Sequence, residues 1–169
     1  MNDIIDKTVY TEIVKQLTLN KEVLSNLTLY FESPKLYFDK NKDRYEGRGF
    51  DGTEEEGILV WIALVDELIE SGDIIELDWK EYLEEFILQM KDLADKNQLN
   101  IEKEWFNEEE EITSWCKILD EKWEKQGFCV GAMDIDSDSY VMFICQNKIL
   151  KNLILLGKKI KKRFDLAKN

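Results

Sequence analysis

The sequence predicts an α+β fold, with about five to six helices packed against a small antiparallel sheet. Apolar residues recur at helical spacing through most of the chain, and between residues 128 and 145 that spacing gives way to the two-residue period of strands. A polar four-residue turn divides the latter stretch in two, which predicts a hairpin. The 169-residue length fits a single domain spanning 1–169, and 44% hydrophobic content supplies a packed interior, which excludes disorder of the whole chain.

Residues 3–17 place Ile4, Ile5, Val9, Ile13, Val14 and Leu17 at helical spacing. Asn20 is positioned to cap a second segment running toward Phe31, of which Leu27–Phe31 suits a helix or a strand. Pro34, the only proline, closes that element by disfavouring helical backbone before it, and Leu36–Phe38 suits a short strand. Residues 39–52 set Gly47, Gly49 and Gly52 among Lys40, Lys42, Arg44, Arg48 and interleaved acids, which predicts a mobile surface loop, with partner contact as its alternative role. The glycine spacing of a nucleotide-binding loop is missing.

Thr53 and Glu56 match a capping box at the start of the next helix. Its body, Ile58–Ile69, is apolar on nearly every side and predicts the central buried helix, ended by Gly72. Ile74–Leu77 alternates weakly as a short strand, and Asp78–Glu81 repeats the capping pattern. Leu83, Phe86, Ile87, Met90, Leu93 and Ala94 then form a one-sided stripe that predicts a surface helix to about Lys96. A further helix is expected from near Asn107, with Glu108, Glu109, Glu110 and Glu111 in its first turn and Lys117, Lys122 and Lys125 toward its carbonyl end. Ile112, Trp115, Cys116, Leu119 and Trp123 would face inward. After the hairpin, Asn147–Phe164 is expected as one amphipathic helix whose last turns carry Lys158, Lys159, Lys161, Lys162 and Arg163.

Composition excludes much chemistry. There is no histidine, which removes Ser-His-Asp and Cys-His arrangements and nearly every catalytic zinc site. Cys116, Cys129 and Cys145 lie in apolar stretches without metal-like spacing, and an odd count suits reduced thiols in a cytoplasm. The N-terminal MNDIID has none of the basic and apolar regions of a secretory signal. The longest apolar run, Ile58–Val65, is too short to span a bilayer.

Net charge is −13, unevenly spread. Residues 53–124 hold 23 acidic against six basic residues, whereas 146–169 hold eight basic residues against Asp165. The acidic block repels a phosphate backbone, so it predicts no nucleic-acid binding through that face. A basic protein partner, or mimicry of nucleic acid toward an enzyme that binds it, suits the field better; solubility alone is the plain alternative.

Three acidic features are candidates for a site. Asp134, Asp136 and Asp138 alternate as in the opening of a calcium loop, but Ser139 and Cys145 stand where that loop needs glycine and glutamate. An ordinary turn, a weak cation site and a partner contact are the readings left open. Glu108–Glu111, preceded by Trp105 and Phe106, could present an aromatic anchor beside a charged rim. Asp73, Glu76 and Asp78 could hold an acid/base pair, although no spacing identifies one.

The Asp134–Cys145 hairpin followed by a basic helix, with Leu77–Glu81 upstream, resembles a family of small uncharacterised bacterial proteins. The chain as a whole resembles the small acidic immunity proteins that neutralise secreted bacterial toxins, including those of contact-dependent inhibition. Those proteins share no common fold, so the likeness transfers no residue roles. It implies a cytoplasmic protein that masks the active site of a basic toxin, such as a nuclease; the residues themselves offer Trp105, Glu108, Glu109, Glu110, Glu111, Asp134, Asp136 and Asp138 for that contact. It implies no catalytic residue, metal, cofactor, nucleic acid or membrane, and leaves the oligomeric state open. The alternatives are an adaptor or scaffold module that binds through residues 39–52 or Lys158–Arg163, and a carboxylate-dependent hydrolase using a divalent cation at Asp134, Asp136 and Asp138.

Overall fold

The computed structural model describes residues 5–169, so Ile4 of the first predicted stripe lies outside the described residues. The chain divides into two compact units, one ending at Ser71 and the other spanning Gly72–Asn169.

The first unit is helical. α1 (Lys7–Leu17) is capped by Asp6, whose carboxylate accepts from the Val9 N–H, and α2 (Lys21–Glu32) by Asn20, which accepts from the Glu22 N–H. Pro34 does not lead into a strand. It occupies the first position of α3 (Pro34–Lys40), where its missing N–H costs nothing and its fixed φ suits a helix. Residues 39–52, expected as a loop, contain α4 (Lys42–Gly47). The buried rings of Tyr37 and Tyr45 anchor these two short helices, packing edge-on at 6.3 Å, while Tyr30 of α2 meets Tyr37 at 5.6 Å. Arg48 then reaches Asp66 at 2.7 Å.

α5 (Glu56–Glu70) follows without the expected capping box. Glu54 accepts instead from the N–H groups of Asp51 and Gly52, and the Thr53 hydroxyl donates to Asp51 at 2.6 Å. The side-chain oxygens close a turn ahead of the helix rather than its first turn. The body of α5 is buried from Leu59 to Val65, as its sequence predicts.

The second unit packs helices on an antiparallel sheet. Its elements are β1 (Ile75–Asp78), α6 (Leu83–Lys96), α7 (Ile112–Trp123), β2 (Phe128–Met133), β3 (Ser139–Gln146), α8 (Asn147–Lys159) and β4 (Phe164–Leu166), with strand order β1-β3-β2-β4. The β2–β3 hairpin is the one the sequence predicts. Its register pairs Val130 with Ile144 and Ala132 with Met142 on the face that packs with Phe86, Met90, Trp115 and Leu119 of α6 and α7. Alternate residues face the other way, where Gly131 lies opposite Phe143, and Phe143 meets Phe164 edge-on at 6.1 Å.

β4 was not foreseen, because Phe164 continues the helical stripe. The helix nevertheless stops at Lys159: the Gly157 carbonyl accepts from the N–H groups of Ile160 and Lys162, and Lys161 takes φ 57°. A Cβ on Gly157 would lie 2.5 Å from the Lys162 carbonyl oxygen, so only glycine lets the chain fold back here and pair with β2. The described residues form eight α-helices, more than the five to six predicted; α3 and α4 account for the difference. None of them is long and apolar enough to cross a membrane.

Candidate acidic partner-binding surface

Glu108–Glu111 do not occupy the first turn of a helix. Asn107 shapes a turn ahead of α7, its side chain accepting from the Glu109 N–H and its carbonyl from the Glu110 N–H and the Trp115 indole N–H. α7 therefore begins only at Ile112, with Glu111 as its flanking residue. The four glutamates are exposed, and none of their carboxylates takes part in an ion pair or hydrogen bond among the described residues.

The turn is held from below. Phe106 packs edge-on against buried Phe86 at 6.0 Å, and Trp105 is half-buried with the Lys122 ammonium 4.9 Å from its ring centroid. Trp105 packs partly against the core of the sheet unit and under the Lys122 ammonium, which braces the acidic turn from below.

The Asp134–Asp138 turn is self-contained. Asp134 accepts from the Asp136 N–H at 2.8 Å, Asp136 adopts φ 56°, and the Ser137 hydroxyl accepts from the Ser139 N–H at 3.1 Å. The Asp134 N–H donates to the Arg163 carbonyl, which ties the turn to the approach of β4. No group of three histidine, cysteine or acidic residues among those described could hold a metal ion. A cavity of about 150 Å³ beside the turn is lined by Asp134, Tyr140, Arg163 and Asp165. Burial alone would raise the Asp165 carboxyl, but hydrogen bonds from Arg163, Asn169 and the Leu166 N–H outweigh it and hold it below the usual range. No hydrogen bond or ion pair joins Glu108–Glu111 to Asp134, Asp136 or Asp138, so the predicted site residues form two separate features.

Two buried carboxylates escaped the sequence reading. Glu67 of α5, 4% exposed, accepts from Asn26 Nδ2 at 2.9 Å, the Tyr37 hydroxyl at 2.7 Å and Arg44 Nη1 at 3.1 Å. An acid inside the apolar run 58–69 was its available signal, since a buried charge requires partners. Asp120 of α7, 9% exposed, accepts from the Val130 N–H at 2.8 Å and lies 3.5 Å from Lys168 Nζ. Burial raises its carboxyl above the ordinary value, with the Val130 N–H and Lys168 opposing. Both acids are buried and enclosed by structural partners, which leaves neither open to a substrate. Of the remaining candidates, Asp78 caps the Lys80 N–H at 2.9 Å. All three cysteines are buried, and burial pushes the Cys116 thiol up, which keeps it protonated and unreactive.

A family model described as a domain of unknown function, DUF6630, matches residues 9–167. No curated protein and no solved structure matches the chain.

Proposed function

The chain belongs to the DUF6630 family, a match that assigns no activity, and from its own residues we propose a cytoplasmic binding protein of the immunity type. Its partner is a basic protein, with a toxin domain as the leading candidate, held by exposed carboxylates that cover a positively charged active site.

The observation that carries this reading is the run Glu108–Glu111, four consecutive exposed carboxylates without cationic partners among the described residues, on a turn braced by Phe106 and Trp105. Repulsion among neighbouring anions gives the fold no stability, so the run gains from a cationic partner. A braced turn also loses little conformational freedom on binding. The −13 net charge extends the field beyond contact distance and speeds encounter with a basic surface. Catalysis has less support. No histidine is present, the thiols are buried, and Asp134 already serves the turn that would have to hold a cation.

The test is affinity capture at low salt from native lysate, with neighbouring gene products added singly, using wild type and the variant E108Q/E109Q/E110Q/E111Q. Stoichiometric capture of a basic protein by wild type, lost in the variant, is expected. Capture of no basic protein, or equal capture by both, contradicts the reading.

A further inference from the structure

The helical unit contains a cavity of about 420 Å³, within the size range of small-ligand pockets. Its walls are aromatic: Phe38 and Tyr45 stack at 4.8 Å and 29°, and Tyr30 joins them. Acids dominate the rest of the lining, with Asp39, Asp51, Glu54 and Glu56 against the single basic residue Lys35.

The acidic segment is fixed in place. Gly52 has φ +94°, and a Cβ there would meet the Phe38 ring at 3.1 Å, so glycine alone lets residues 51–54 lie on that ring. Glu54 clasps the N–H groups of Asp51 and Gly52, and Asp51 accepts from the N–H and hydroxyl of Thr53. Those Thr53 hydrogen bonds hold the Asp51 carboxyl below its usual range, so it stays charged.

Tyr30 supplies an independent observation. It is 1% exposed, and its buried hydroxyl has no hydrogen-bond partner among the described residues. Its neighbours are satisfied: the Tyr37 hydroxyl donates to Glu67, and that of Tyr45 donates to the Leu59 carbonyl at 3.0 Å. A buried hydroxyl left unpaired is costly and calls for a missing partner. Burial, and then the nearby Glu56 charge, push the Tyr30 hydroxyl up, so it is protonated and offers lone pairs.

We propose that this cavity binds a primary alkylammonium group, its methylene chain against Phe38 and Tyr45 and its cation shared by the carboxylates and the Tyr30 oxygen. Aromatic faces attract organic cations, and carboxylates neutralise them. An anion would be repelled. A divalent metal would need three converging ligands, which no group of the described residues provides. The inference stands apart from the function proposed above, whose glutamates belong to the other unit. The ammonium could come from a free amine or from a lysine side chain of a protein.

The experiment titrates ¹⁵N-labelled full-length protein with n-butylammonium and with Nα-acetyl-lysine-N-methylamide, against sodium chloride at matched ionic strength. Saturable shifts centred on Gly52 and Thr53 are expected with both amines. Tighter binding of the lysine amide assigns the source to a protein side chain, and tighter binding of butylammonium to a free amine. Tyr30→Phe is expected to weaken binding about tenfold, the worth of a hydrogen bond to a charged group. Its melting temperature should hold or rise, since the removed hydroxyl had no partner. Glu56→Gln, at an exposed position that leaves the fold intact, should weaken binding several-fold. Shifts reproduced by sodium chloride, equal binding of methylguanidinium, or unchanged affinity in both variants would overturn the proposal.

Discussion

The helical unit and the sheet unit each bury one carboxylate, and they accommodate it differently. Glu67 is surrounded by side-chain donors from α2, α3 and α4, so its carboxylate ties three helices to α5. Asp120 has a backbone N–H from β2, a lysine at 3.5 Å, and one oxygen without a hydrogen bond. For Asp120 burial penalises the charge more than its partners offset, as its raised carboxyl indicates. Glu108–Glu111 are a third case, with neither burial nor partners. Acidity is therefore not one property of this chain: some carboxylates build the fold, one strains it, and four remain free for another molecule.

Four variants probe that contrast, in falling order of expected effect. Glu67→Gln leaves Arg44 and Tyr37 facing a neutral amide. It should cost about 3 kcal/mol in urea unfolding, the low end for a broken buried pair because Arg44 stays a third exposed. A cost under about 1 kcal/mol would remove the distinction from Asp120. Gly131→Ala tests whether the sheet unit depends on packing rather than charge. Its Cβ would meet the Phe143 ring at 2.5 Å, for an expected cost of about 2 kcal/mol that F143L should partly restore.

Asp120→Asn keeps an acceptor for the Val130 N–H and removes the penalised charge, so stability at neutral pH should change by no more than about 1 kcal/mol. The sign with pH follows from the raised carboxyl. As pH climbs from the ordinary 3.8 toward the raised value, the unfolded chain has lost a proton that the folded chain retains, so stability falls. Urea midpoints followed from about pH 4 to 7 should show that decline in wild type and its loss in the variant. Smallest is E108Q/E109Q/E110Q/E111Q, whose melting temperature should match wild type or rise slightly as like charges are removed. A clear fall would mean that the run has an unrecognised structural role.

The elements legible in the sequence are those with long, unambiguous periods. α5, α6 and the β2–β3 hairpin fall where their patterns place them, and α2 starts at the Asn20 cap. The short elements were hidden because their determinants are tertiary. α3 and α4 depend on tyrosines that pack on one another and on Glu67, and β4 depends on a reversal that Gly157 permits within an apparent helix. The candidate acids were legible as residues but not as geometry. Whether Glu108–Glu111 open α7 or precede it depends on the Asn107 carbonyl, which accepts the Trp115 indole, and no local spacing encodes that bond. The cavity beside Tyr30 was equally hidden, since its walls come from α2, α3, α4, the turn before α5 and the start of α5 itself.

The most direct test of the binding account is the association rate of the captured partner, measured across about 50 to 300 mM salt for wild type and the four-glutamine variant. The account predicts a wild-type rate that falls steeply with salt and a variant rate that is slower and much flatter. Equal rates for the two proteins, or a wild-type rate indifferent to salt, would show that Glu108–Glu111 do not steer a basic partner.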